Sequence, residues 1–496
     1  MSKRSFDYLI IGGGAAGCIV ARNLADRLPE SQIALLEAGH CDENDPAANF
    51  LSQLDKQDES YDWGYQARAT RQSRQSMAYS RARILGGCAN HNDCAFIPPP
   101  AADLDRWEAL GAKGWNSETL TPALRRIGQR LHVESAPAGN ALSRAFIDAN
   151  IELGLPETNF REPLTAGTGW FPLNARGDVR QSSSVAYLHP LKSLPQNLHV
   201  FTGVMTHRLL MDRQRITGVS TDRGEFWSRA ETILCAGSIN TPQLLMLSGI
   251  GPGEHLQSSG IPVMVNLPGV GQNLIDHVAA NISCELKAPG PTWALTPCEA
   301  TALIKVEPQA ELPDVLFHFV LRLREKYVGD QQFQGIEHGV KLSPNVARPK
   351  SRGSLQLQNA DPLSAPQIDL NYFSDPEGYD RRILLGGLRY ARRLIQTSAL
   401  APYLKREIMP GCDIDNDEDF FAYMTQSCET VYHPCGTCAM GADHDSNAVV
   451  TPDLKVKGVE GLRVADASVF PDMVTVNICN TVMMVAEQAV DLICEA

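Results

Sequence analysis

The sequence predicts a two-domain chain. One domain is α/β, on a parallel sheet assembled from segments far apart in sequence, and the other is α+β, on a mixed sheet. Three observations predict it. A strand–glycine–helix unit opens the chain, and a second such unit begins at residue 231. Between roughly residues 283 and 423, strand-like runs and one long amphipathic helix replace that rhythm. At 496 residues the chain has room for two or three domains.

The net charge of −13 and the lack of a Lys/Arg-rich run argue against a nucleic-acid partner. Thirteen cysteines scattered through ordinary sequence suit a reduced protein rather than a disulfide framework. The first apolar run is too short for a secretion signal, and no segment is long enough to cross a bilayer. A cytoplasmic protein free of the membrane is expected.

Residues 8–11 form a short apolar run that suits a buried parallel strand. Gly12-Gly-Gly14-Ala-Ala-Gly17 follows, then helical spacing from Cys18, then a strand over residues 32–36 that ends at Glu37. This is a complete βαβ dinucleotide fingerprint. Gly12 makes the turn, Gly14 admits a pyrophosphate, and Gly17 lets helix and strand pack closely. The pyrophosphate sits on the helix N-terminus, where free N–H groups attract anions. Glu37 can accept hydrogen bonds from a ribose diol. FAD and NAD satisfy this pattern equally.

Next comes Arg83-Ile-Leu-Gly86-Gly87-Cys-Ala-Asn-His91-Asn92-Asp93. Adjacent glycines let the backbone approach a bulky ligand, and His91 offers a nucleophilic ring nitrogen from that turn. Against a flavin, His91 is a candidate for a covalent bond; otherwise it is a polar residue on a loop. Residues 231–237 read as a strand ending in a glycine turn. Residues 238–242 read as a helix start with Pro242 in the first turn, and Gly249 as its stop. Residues 315–320 and 354–358 look like strands, and 381–397 like an amphipathic helix with arginines on its polar face. Toward the C-terminus, His433 stands beside Pro434, Asp466-Ala467-Ser468 follows a strand-like run at 462–465, and Asn477 precedes a helix over 482–493. A histidine base with an asparagine partner is what deprotonating an alcohol beside a flavin requires.

Together these segments resemble the glucose–methanol–choline family of FAD-dependent oxidoreductases. The motifs that carry it are the fingerprint, the Gly86-Gly87 turn, the Cys235-Ala-Gly-Ser-Ile-Asn-Thr-Pro run, Tyr432-His433-Pro434-Cys-Gly-Thr, Leu462-Arg-Val-Ala-Asp-Ala-Ser and the last helix with Glu487. They span nearly the whole chain. The resemblance implies an FAD-binding Rossmann-like domain in residues 1–155, 195–282 and 424–496, with a substrate domain in 156–194 and 283–423. It implies FAD held by Gly12, Gly14, Gly17, Glu37, Gly87, His91, Asn92, Val204, Asp466 and Ala467.

Within the family the chain is most similar to the choline-oxidase branch, whose histidine at the place of His91 is joined covalently to FAD. Other branches have an apolar residue there. The implied reaction is oxidation of a primary alcohol to an aldehyde by hydride transfer to flavin N5, with oxygen as acceptor and hydrogen peroxide as product. His433 matches the catalytic histidine, Asn477 its partner, and His318 a histidine that helps bind the alcohol. His277 matches a further histidine of the branch, with no direct role assigned. Val431 stands where the branch carries a valine that favours reaction with oxygen.

The chain also departs from that branch. Ala279 replaces the glutamate that pairs with trimethylammonium. Cys298 aligns with a cage tryptophan and Arg324 with a phenylalanine, and residues 49–54 hold no tryptophan. Cation–π contacts and a counter-charge hold quaternary ammonium ions, so choline is expected to be a poor substrate. Arg322 and Arg324 are read either as a carboxylate-binding pair or as solvated arginines on an edge. Asp93 replaces a serine near the flavin. Cys435 and Cys438 are read as small packing residues, with a redox dithiol or metal pair as the alternative. A dehydrogenase using a quinone or carrier, a non-redox hydroxynitrile lyase and an NAD-linked reductase are the other functions kept open, and a homodimer is kept open as the assembly.

Overall fold

The computed structural model describes residues 4–72, 76–160, 163–290, 295–323, 336 and 338–495. Strands whose C-terminal ends are apolar form the centre of a seven-stranded sheet. Leu198–Phe201, Ile33–Leu36, Arg4–Ile11 and Gly224–Leu234 lie in that order, all parallel, and Leu462–Val464 pairs in parallel with the end of Gly224–Leu234. Ile33 to Leu36 and Leu9 to Ile11 are buried, as strands covered on both faces must be. Arg215–Thr221 and Thr206–Asp212 extend the sheet as an antiparallel meander. Helices Gly17–Arg27 and Cys479–Cys494 pack together on it. Buried Glu487 fixes that contact, accepting from Asn23 at 2.9 Å, Tyr187 at 2.9 Å and Arg126 at 2.7 Å.

The second large sheet has eight strands, with Leu404–Met409, Ile282–Leu286, Gly339–Val346, Val315–Val320, Ala300–Ile304 and Gly167–Trp170 in order. Val278–Ala279 joins it beside Gly339–Val346, and Glu429–Thr430 lies outside Val278–Ala279. All these pairings are antiparallel. Mixed pairing appears instead in a four-stranded sheet, where Gln367–Asp369 runs parallel to Gln66–Arg68. The run expected as a strand over 354–358 belongs there, as Ser354–Gln356.

Two connections cross the expected domain limits. Val278–Ala279 and Glu429–Thr430, placed by sequence with the nucleotide-binding segments, pair inside the second sheet. Conversely Ser183–Tyr187, placed with the substrate segment, packs on the helix Gly17–Arg27. These short strands carry the chain from one sheet to the other, so the residues just after them sit at the junction. His433 is one.

The helix expected to open with Pro242 in its first turn runs from Gly237 to Leu247, which puts Pro242 in the second turn. Proline there has no N–H for the carbonyl of Ser238. The Thr437 hydroxyl donates to that carbonyl instead, at 2.7 Å. The long amphipathic helix is Tyr379–Leu394. Among the described residues no helix is long and apolar enough to cross a membrane.

Candidate active site

A cavity of about 2640 Å³ lies between the two large sheets. That exceeds the ~300–1,000 Å³ of a typical small-ligand pocket and leaves room for a dinucleotide together with a substrate. It is lined by Gly12, Gly14, Glu37, Gly87, His91, Asn92, Val204, Asp466, Ala467, His318, His433 and Asn477. Gly17 is not at the wall. A Cβ there would stand 1.8 Å from the Gly12 carbonyl oxygen, so Gly17 is required for the helix to sit against its turn. Gly87 approaches in the same way, since its Cβ would lie 2.7 Å from the Cα of Gly14. The expectation that Gly86 bares its backbone to a ligand is corrected here. A Cβ on Gly86 would collide with the side chains of Asn90 and Ser184, so this glycine answers to protein packing.

Glu37 ends the strand Ile33–Leu36. Its two oxygens accept from Gly13 N and Gly39 N, each at 2.7 Å, and burial pushes its carboxyl up to about 7. Asp466 accepts from Gly237 N, the Thr241 hydroxyl, and both N–H and hydroxyl of Ser468, at 2.6–2.8 Å. It therefore ties the helix start at Gly237 to the turn at Ala467. With the fingerprint turn, the helix N-terminus and this acid in one wall, the residues fit a dinucleotide such as FAD.

Arg180, which the motif reading did not single out, lies under the His91 loop. It is buried, and its guanidinium donates to the carbonyls of Ala89 at 3.2 Å, Asn92 at 2.6 Å and Ala48 at 3.1 Å. It also donates to Oδ1 of Asn92 at 2.9 Å. No spacing or motif marks it. Its only sequence signal is an arginine in a turn ahead of a serine run.

The catalytic candidates converge from four segments, at residues 277, 318, 433 and 477. Asp276 is buried and its carboxylate accepts from Tyr79, Tyr372, Thr430 and the backbone N–H of His433, at 2.6–3.0 Å. That fixes the turn that presents His433, where Tyr432 adopts a left-handed φ of 65°. His277 Nε2 faces two carbonyl oxygens, Ala347 at 2.8 Å and Val474 at 3.1 Å. Carbonyls only accept, so this nitrogen carries the proton and Nδ1 of the neutral ring is an acceptor. Nδ1 of His433 lies 2.8 Å from it and must donate. Nε2 of His433 is then left with its lone pair, close to the Asn477 amide at 3.4 Å.

His318 is fixed by a parallel argument. Asn345 Nδ2 donates to Leu316 O at 2.6 Å and lies 3.1 Å from His318 Nδ1, which therefore accepts. His318 Nε2 carries the proton and faces Asn477 at 3.4 Å. Burial lowers all three imidazoles. For His433 the neighbouring His277, His318 and Arg81 add to it, and it falls well below its usual range. His318 falls to about 3, with His277 and Lys341 contributing after burial. The site is an array of neutral rings.

Val431 lines the cavity and its N–H donates to His277 O at 3.3 Å. Asp93 also lines the cavity. Arg322 does not present a free anion site, because its Nη1 holds both oxygens of Asp55 at 2.5 and 2.6 Å. Arg324 lies outside the described residues. Cys298 is buried in the wall. Cys435 and Cys438 are fully buried, unpaired thiols pushed well up by burial, which suits packing. No group of residues able to hold a metal ion is found among the described residues.

Comparison with known proteins gives the family. Family models described as GMC oxidoreductase match residues 6–279 and 349–486. The chain is 37% identical to choline oxidase of Arthrobacter globiformis, covering 99% of this chain and 95% of that one. It is 34% identical to oxygen-dependent choline dehydrogenase of Vibrio vulnificus, covering 99% and 94%. Among solved structures, pyridoxine 4-oxidase from Mesorbium loti superposes with a TM-score of 0.89 at 26% identity, covering 98% of each chain. Formate oxidase of Aspergillus oryzae, in an R554K form studied for FAD modification, superposes at 0.89 with 25% identity, covering 99% and 98%. FAD is the cofactor that this kinship implies. The chain belongs to the GMC oxidoreductase family and is an oxidoreductase acting on CH–OH groups.

Proposed function

We propose that this chain is an FAD-dependent alcohol oxidase that converts a primary alcohol other than choline to its aldehyde and passes the electrons to oxygen. The observation that carries this reading is the histidine array, which leaves a lone pair on His433 Nε2 at the cavity wall. Bound FAD supplies the hydride acceptor.

The remaining chemistry belongs to the side chains. His433 Nε2 takes the hydroxyl proton, and His318 Nε2–H donates to the alcohol oxygen as charge develops on it. In its present orientation the Asn477 amide donates to neutral His433. Once Nε2 is protonated, the flipped amide places its oxygen toward both Nε2–H groups. Buried Oδ1 of Asn477 lacks a partner among the described residues, which suits such a two-position amide. His91 is proposed as the covalent tether of FAD. It lines the cavity beside Asn92, and its loop is clamped by Arg180. Val431 and the oxygen-linked names of the relatives support oxygen as acceptor.

A decisive experiment uses the purified holoenzyme. Yellow colour retained by acid-precipitated protein, alcohol-dependent anaerobic bleaching and peroxide release in air are expected. Bleaching with slow reoxidation in air points to a dehydrogenase. Cyanohydrin turnover with no bleaching by any alcohol refutes the redox reading.

A further inference from the structure

The face of the second sheet that roofs the cavity carries a polar cluster the mechanism does not use. Antiparallel partners project to the same side of a sheet, so the registers Ser283↔Lys341, His318↔Ser343 and Ala279↔Asn345 put all six on one face. Glu429 stands directly across from Ala279 on the neighbouring strand. Lys341 is two residues from the partner of His318, about 7 Å along the strand. Its Nζ donates to Glu429 Oε2 at 2.7 Å, with both side chains about four-fifths buried, 20% and 17% exposed. Asn281 lines the same cavity, is 4% exposed, and its Oδ1 lacks a partner among the described residues.

Resting on the alcohol-oxidation reading, we infer that Lys341, Glu429 and Asn281 form a charge-balanced subsite that selects an uncharged alcohol bearing a second hydroxyl. Ala279 places no charge on this face, and the carboxylate across from it, Glu429, already has an ammonium. A lone cation entering here must compete with Lys341 for Glu429, and a lone anion must compete with Glu429 for Lys341. Either leaves a charge without its partner in a desolvated wall. A hydroxyl instead accepts from Lys341 or the Ser283 and Ser343 hydroxyls and donates to Asn281 Oδ1, leaving the ion pair intact. Discrimination then arises from rejection of single charges as much as from attraction.

A matched set of three-carbon primary alcohols tests this: propane-1,3-diol, propan-1-ol, protonated 3-aminopropan-1-ol and 3-hydroxypropanoate. Holoenzyme kcat/KM and calorimetric binding are measured for the wild type, K341M, E429Q and the double variant. The wild type is expected to prefer the diol to the other three by about tenfold or more. K341M shifts the ratio toward the amino alcohol, E429Q shifts it toward the hydroxy acid, and the double variant prefers neither ion to the other. K341R, which keeps the charge, retains the wild-type order and separates specificity from folding. Single variants that leave the charge preference unmoved, a wild type that accepts either ion as well as the diol, or no binding of any of the four overturns the inference. An enzyme bleached by none of a broad alcohol set would instead strike the proposed function.

Discussion

At the scale of single residues, the central quantity is the proton on His433. Its Nδ1–H is compelled by His277, whose own proton is compelled by the carbonyls of Ala347 and Val474. His433→Ala is expected to lower kcat/KM by about 10²–10⁴-fold, the usual worth of a positioned general base. His277→Phe removes the acceptor that orients His433 and is expected to cost about tenfold or more, while alcohol binding is largely kept. Because burial depresses His433 below its usual 6.5, the base is already free at neutral pH. The acid limb of kcat/KM must therefore fall below pH 6.5; a limb centred at or above that value would refute the neutral array. His433 and Asn477 are singled out by their motifs and His318 by the family resemblance, and the structure brings the three side chains together. The tautomer was not legible in the sequence, because it depends on two backbone oxygens that no side-chain pattern encodes.

At the scale of elements, the loop from Ala89 to Asn92 shows what a motif leaves out. Hydropathy places an isolated arginine on the surface, yet Arg180 is buried and serves three backbone carbonyls. Those partners lie 88 to 132 residues away, beyond any local pattern. In Arg180→Met these carbonyls lose their donor, at about 1–3 kcal/mol for each group left unsatisfied. The loop that presents His91 then loosens, and the fraction of flavin retained after acid precipitation should drop. Full retention in a folded variant would mean the clamp does not position the tether. The strands were more legible than the loop. Val315–Val320 coincides with its apolar run, because a buried strand writes its burial directly into consecutive residues. Pro242 misled because tertiary structure can satisfy the carbonyl that a mid-helix proline releases, as Thr437 does here.

At the scale of the whole molecule, two sheets close on a cavity lined by the uncharged imidazoles of His318 and His433, with His277 buried behind His433, and this couples stability to pH. His277, His318 and His433 are each lowered by burial, His318 to about 3, whereas in the unfolded chain each titrates near 6.5. Below 6.5 the unfolded chain binds protons that the folded chain refuses, so each ring withdraws about 1.4 kcal/mol of stability per pH unit over its window. The contribution is complete above 6.5 and is lost as pH falls toward the folded values. Glu37 works the other way: raised from 4.5 to about 7, it takes up a proton in the folded state first and favours folding as pH falls through that interval. Glu37 offsets one of the three rings; Asp103, Asp314, Asp380 and Asp466 are raised by burial in the same sense, but from 3.8, below the interval where the rings begin to charge. Thermal unfolding of the cofactor-free protein is therefore expected at a clearly lower temperature at pH 5 than at pH 7.5. His318→Asn should flatten that dependence by about half, since it removes one of these three rings while the opposing Glu37 term stays. A melting temperature unchanged between these two pH values, or an unaltered slope in a folded His318→Asn protein, would show that the rings are not held neutral in the folded state.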